Sequence, residues 1–271
     1  MLIYMNNIIY ENEEYYFILR KLKNYRREKM QRLTNNTPIV IQGAMKTETD
    51  WLISQLESHK EIEICGYKFH QGYIGETYVV ISKTEIGQIN AAAATALAIK
   101  QFSPSLIINQ GTTGGHGDIH KGNILVATSA FNSTSFITSA DNDEWILGSY
   151  TEGQPEGTGP EFLECDTELV KKAICLCKKI SIDRDVCSGI IASGDLWNKN
   201  ISRIKKMNEK YHEVAEEMEL YAVLQVAKKS NVPVIGIRII SNNETLGEKF
   251  DNNELPKVCQ QIVAEIAKSI V

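Results

Sequence analysis

Five short segments of this chain hold the residue types that bond-breaking chemistry needs. They are Gly43-Ala44-Met45-Lys46-Thr47-Glu48, Asn109-Gln110-Gly111-Thr112-Thr113-Gly114-Gly115, Ala192-Ser193-Gly194-Asp195, Glu216-Glu217-Met218-Glu219, and Arg238-Ile239-Ile240-Ser241-Asn242-Asn243. A carboxylate such as Glu48 beside a glycine-rich turn can serve as a general base. The acidic segment suits the start of a helix, where negative charge is favoured. Glu217 and Glu219 cannot both face solvent while Leu220, Val223 and Leu224 face a core, so one carboxylate points inward. An inward carboxylate is a natural acceptor for two neighbouring sugar hydroxyls. Any one of these segments alone is most simply a turn.

The elements between them place them together. Apolar runs at Ile39–Gln42, Tyr78–Ile81, Leu106–Asn109, Ile124–Ala127, Val186–Ala192 and Val232–Ile240 read as buried strands. The run at Leu106 is expected to stop at Gly111. Helical spacing is expected over Thr47–Leu56, Ile89–Ile99, Thr167–Lys179, Val214–Lys229 and Glu254–Val271. Strand–helix alternation with fully apolar strands predicts an α/β fold: a mostly parallel or mixed central sheet with helices on both faces. In such sheets ligands lie beyond the carboxyl ends of the strands. The residues just after Ile41, Asn109, Ala192 and Ile240 are therefore the expected site. Upstream, Glu11–Arg32 reads as one amphipathic helix, and Leu33–Pro38 as a polar break. We expect residues 1–37 to form a helical extension and residues 38–271 the main domain. A loop rich in Gly, Ser, Thr and Pro is expected at about 148–160.

The chain has 271 residues and a net charge of −5, which gives no electrostatic footprint for nucleic acid or an anionic membrane. No apolar run reaches the ~18 residues of a membrane span. The first residues lack the basic-then-apolar pattern of a signal peptide, so a cytoplasmic location is expected. Six cysteines include no CxxC pair. They read as free thiols in a reducing compartment. His116 and His120 are four apart, but the surrounding glycines argue against a helix. No metal site and no cofactor is expected.

From Ile39 onward the sequence resembles the methylthioadenosine/S-adenosylhomocysteine nucleosidases of the nucleoside phosphorylase superfamily. The resemblance rests on motifs in order: a strand then Gly43-Ala44-Met45 and Glu48; Lys83-Thr84-Glu85-Ile86-Gly87 before Ala91–Ala94; Asn109 to Gly115; Lys121-Gly122-Asn123-Ile124; Ser193-Gly194-Asp195; and Glu217-Met218-Glu219. It implies a three-layer sandwich and a purine nucleoside N-ribohydrolase acting in methionine salvage, with a homodimer as the assembly. It implies Glu48 as the base that activates water, with Arg238 and Thr112 holding that water and the ribose end. Gly114 falls in the substrate-binding turn and Glu217 in the ribose motif. Met218 would line the sugar and Glu219 would accept from the ribose 2′- and 3′-hydroxyls. Leu196 and Trp197 would contact the purine, and Ser241 would position residue 242.

Residue 242 departs from the pattern. The family has an Asp there that protonates N7 of the leaving adenine, whereas this chain has Asn242, which has no titrating group near neutrality. An amide can donate a hydrogen bond to N7, or, turned over, donate to a 6-oxo group. Asn at this position resembles the 6-oxopurine phosphorylases. Three readings stay open: an adenine-specific hydrolase, an enzyme for a 6-oxopurine nucleoside, or a nucleoside-binding protein with little activity. Phosphorolysis needs an anion holder, usually arginine. The seven arginines include none between Leu33 and Asp183. Lys46 and Gln110 stand where the phosphorylases keep arginines, so hydrolysis is the expected reaction.

Overall fold

The computed structural model describes residues 37–139, 142–147, 159–251 and 253–270. The expected helix at Glu11–Arg32 and most of the loop at 148–160 lie outside the described residues. In chain order the elements are β1 (Ile39–Gly43), α1 (Asp50–Ser54), β2 (Glu57–Ile64), β3 (Tyr67–Ile74), β4 (Thr77–Lys83), α2 (Gln88–Phe102), β5 (Leu106–Gly115), β6 (Ile124–Asn132), β7 (Phe136–Ser139), β8 (Asn142–Leu147), β9 (Phe162–Glu164), α3 (Thr167–Ile180), β10 (Val186–Ser193), α4 (Ile201–Tyr211), β11 (Glu213–Glu217), α5 (Leu220–Lys229), β12 (Val234–Asn242) and α6 (Leu255–Ser269).

The main sheet runs β11-β10-β6-β12-β5-β1-β4-β3-β2, with β9 added on β6. Strands β1, β4, β5 and β12 pair in parallel, as do β6, β10 and β11. Strand β12 joins the two groups antiparallel to β6. Ile39, Val40 and Ile41 of β1 and Leu106, Ile107 and Ile108 of β5 are fully buried, as their unbroken apolar runs require. Helices α2 and α5 pack on each other, while α1 and α3 pack on α6, so helices flank the sheet as expected. No described helix is long and apolar enough to cross a membrane.

Three features differ from the sequence expectation. Strand β5 does not stop at Gly111. It pairs with β1 over Leu106–Asn109, and at Gly114 and Gly115 it pairs instead with β11, antiparallel. That exchange of neighbours closes β11, β10, β6, β12 and β5 into a ring and opens a crevice where β1 departs. Second, Val214–Glu217 is strand rather than helix. Its backbone is taken up by β10 and β5, and pairing of this kind overrides the helix propensity of Glu and Ala. Third, a β2–β3 hairpin turns at Cys65-Gly66, both at positive φ, a conformation that fits tight two-residue hairpin turns.

Candidate active site

The site forms around the crevice. Strand β1 ends at Gly43, and the chain turns through a 3-10 helix, Lys46–Glu48. This turn carries the Glu48 carboxylate inward, 3% exposed. Its Oε2 accepts from the backbone N–H of Ala44 (3.0 Å) and of Met45 (3.2 Å). Its Oε1 accepts from Thr112 N (2.8 Å) and Thr112 Oγ1 (3.0 Å). Burial pushes the Glu48 pKa up, and the Thr112 hydrogen bonds offset part of that rise. Gly111 has to be glycine: a Cβ there would lie 2.6 Å from Glu48 Oε1.

A second buried group stands beside it. Glu217 accepts from Glu219 N and Leu220 N at 3.0–3.1 Å, tying β11 to the first turn of α5. Arg238 Nη2 reaches Glu217 Oε2 at 2.6 Å and also bonds Asn109 Oδ1. Its Nη1 donates to Asn109 O at 2.7 Å and Ile237 O at 3.0 Å. Arg238, expected to help hold water and the ribose end, is placed behind the cavity wall among these partners. Its two Nη groups donate to Asn109, Ile237 and Glu217, it is 2% exposed, and it does not line the cavity. Burial disfavours the cation, but Glu217, Glu219 and Glu48 more than offset this and hold its pKa up.

Glu219 Oε1 accepts from Gly87 N at 2.9 Å. Burial, then the charge of Glu217, raise the Glu219 pKa to about 8. Gly87 sits at φ +99°, and a Cβ there would lie 2.8 Å from Asp195 Oδ1. Asp195 in turn accepts from Gln88 N at 2.7 Å, and Ser193 Oγ accepts from Tyr221 N at 3.1 Å. The Ser-Gly-Asp segment thus fastens the starts of α2 and α5.

A cavity of about 140 Å³ gathers most of the expected residues: Thr112, Gly114, Leu196, Trp197, Glu217, Met218, Glu219, Ser241 and Asn242 all line it. Glu48 and Arg238 stand one layer behind. Ser241 Oγ lies 3.1 Å from Thr113 O and 3.0 Å from Asn242 Oδ1. Asn242 Nδ2 lies 3.4 Å from Glu244 Oε1. Trp197, 58% exposed, meets Phe250 edge-on at 5.2 Å by the mouth. Sequence reasoning assigned no binding role to five polar residues in the wall: Thr113, His116, Asn198, Glu216 and Glu244. Among the described residues, four glutamates and no lysine or arginine line the cavity.

Comparison with known proteins agrees with this architecture. The phosphorylase superfamily profile matches residues 38–271. A 5′-methylthioadenosine/S-adenosylhomocysteine nucleosidase of an Exiguobacterium species is 33% identical over 206 residues, covering 74% of this chain and 83% of that protein. The solved nucleosidase of Colwellia psychrerythraea, in complex with adenine, is 26% identical with a TM-score of 0.70, over 86% of this chain and 95% of that one. The Neisseria meningitidis nucleosidase, in complex with methylthio-immucillin-A, shares the fold at 24% identity and TM-score 0.72, over 86% and 99% of the two chains. The chain belongs to the phosphorylase superfamily and, within it, to the family of the 5′-methylthioadenosine/S-adenosylhomocysteine nucleosidases.

Proposed function

We propose that this protein hydrolyses the N-glycosidic bond of a purine nucleoside, with methylthioadenosine and S-adenosylhomocysteine as substrates. One observation carries the hydrolytic reading: the cavity wall holds four carboxylates and no cationic side chain among the described residues. Such a wall offers no guanidinium or ammonium to hold a phosphate dianion, and its carboxyl oxygens face a sugar that becomes positively charged. In this reading a water sits against Thr112 and gives its proton to Glu48 as its oxygen bonds to C1′. The C1′–N9 bond breaks, and the base leaves with its electron pair. Glu219 accepts from the ribose hydroxyls, Met218 lies along the sugar, and Leu196 and Trp197 flank the base. Asn242 donates a hydrogen bond to N7. Arg238 is a positioning residue that acts through Glu217. The names of the relatives support the substrates.

The same reading takes the protein as a cytoplasmic homodimer in methionine salvage, with residues 1–37 an extension of the catalytic domain 38–271. The exposed Ile86, Trp197 and Phe250 beside the mouth support a second copy there. The test is adenine release from both substrates with and without phosphate. Equal rates are expected. Release that requires phosphate, or no release, overturns the reading.

A further inference from the structure

The turn that presents Glu48 is a broken helix. The 3-10 segment Lys46–Glu48 and α1 (Asp50–Ser54) meet at Thr49, whose φ of −126° and ψ of −28° lie off the helical values. In an unbroken α-helix Trp51 N would donate to Thr47 O, and Leu52 N to Glu48 O. Across the break, three of these backbone groups turn to side-chain amides instead. Glu48 O accepts from Gln110 Nε2 at 2.6 Å. Leu52 N donates to Gln260 Oε1 at 3.2 Å, and Gln260 Nε2 donates to Thr47 O at 2.8 Å. The same Nε2 donates to Pro256 O at 3.1 Å, one turn back on α6.

Both glutamines are buried, Gln260 to 1% exposure. The Gln260 amide has one workable orientation, with its oxygen towards the Leu52 N–H and its nitrogen towards two carbonyls. Reversed, donor would meet donor. The two helical pieces are three and five residues long, too short to keep their shape unaided. Helix α6 supplies that shape from outside: it packs on β5 and β12 as well as on the turn and on α1.

The consequence falls on the Glu48 carboxylate, which bridges two bodies. Its Oε2 is held by the turn itself, through Ala44 N and Met45 N, and its Oε1 by Thr112 on β5. A turn that slides against the sheet therefore pulls the carboxylate off one set of donors. We propose that Gln260 is a positioning residue for the reaction: through one side-chain amide, the C-terminal helix fixes the Glu48 turn against the sheet, with Gln110 as its counterpart on β5. This rests on the hydrolase reading above, in which Glu48 is the base.

The test compares Gln260→Met, which keeps the length and removes all three hydrogen bonds, with Ile262→Ala in the full chain. Ile262 is equally buried in α6 but lies about 200° around the helix from Gln260. Rates of adenine release from methylthioadenosine are followed against pH. For Gln260→Met we expect kcat to fall about ten-fold or more with KM within about threefold. Loosened Ala44 and Met45 donors stabilise the carboxylate less, so the acid limb of the kcat profile should move to higher pH by about half a unit or more. Ile262→Ala should lose stability and keep both kcat and the limb. A limb reads the ionisation of the folded enzyme, so a smaller folded fraction does not move it. If Gln260→Met does not fold, Gln260→Asn, whose amide falls one methylene short of its partners, is read by the same criteria. A kcat within about threefold of the Ile262→Ala value, or a limb left in place, overturns the proposal while the hydrolase reading stands. If the wild type cleaves no nucleoside, the hydrolase reading fails. Amide hydrogen exchange over residues 44–52 then decides the role of Gln260: faster exchange in its variant than in Ile262→Ala upholds it, and equal exchange sinks it.

Discussion

Gly111→Ala tests whether the position of the Glu48 carboxylate governs the reaction. The added methyl would lie 2.6 Å from Glu48 Oε1 and 2.8 Å from its Cδ, where an ordinary contact begins near 3.4 Å. The carboxylate must therefore retreat by about 0.8 Å, because backbone bonds from Ala44 and Met45 already hold its other oxygen. A displacement on the order of 1 Å costs roughly 10²-fold in rate. Overpacking of this kind also removes about 1–3 kcal/mol of stability. The expected outcome is a fall in kcat of about 10²-fold with KM changed by less than about threefold, since residue 111 does not line the cavity. Continuous adenine-release kinetics would measure both constants, and urea melts would confirm that the variant is folded at assay temperature. A folded Gly111→Ala enzyme with kcat within threefold of wild type would refute the assignment of Glu48 as the base. Gly114→Ala is the matched control for stability, because its Cβ meets nothing closer than 3.7 Å.

Two further outcomes follow from the buried charges. Arg238→Met leaves Glu217 buried without its cation and should lower unfolding stability by about 3–5 kcal/mol. Adding Glu217→Gln should recover part of this in urea melts, and a loss under about 1 kcal/mol would show the pair to be dispensable. Glu219 is raised from 4.5 to about 8, so the folded state holds its proton more tightly than the unfolded chain does. Its contribution to stability is greatest at acid pH and declines as pH rises from about 4.5 to about 8, then levels. Glu219→Gln should flatten that decline when urea midpoints are followed against pH. An unchanged slope would place the titration elsewhere.

The sheet was legible because a strand buried on both faces must be apolar throughout. Ile39–Gln42 and Leu106–Asn109 could hardly be anything else. The hairpin β2–β3 was not legible, because Glu57, Ser58, His59, Lys60 and Glu61 are all exposed and show no alternation. Helix α4 was hidden in the same way, with only Ile204 and Met207 buried along its length. The segment Val214–Glu217 departs most consequentially from its helical expectation. As a helix start it hides Glu216 among like neighbours, whereas as a strand it separates Glu216 and Glu217 onto two faces. The placement of Arg238 needed three dimensions, since a lone arginine at a strand end can face a ligand or brace a carboxylate with equal ease. Its partner Asn109 lies 129 residues away in sequence.

The ring of strands has a bearing on how the protein is made. Its closing pairs, Gly114 with Glu216 and Gly115 with Ala215, join residues about a hundred positions apart. Pairings so remote must overcome loop-closure entropy before they gain any contact energy, and they form late. The base end of the cavity is built across that seam. The hairpin β2–β3 and helix α2 contain their own local contacts and can take shape early, but a pocket able to hold a purine exists only once the chain has met itself at Gly114.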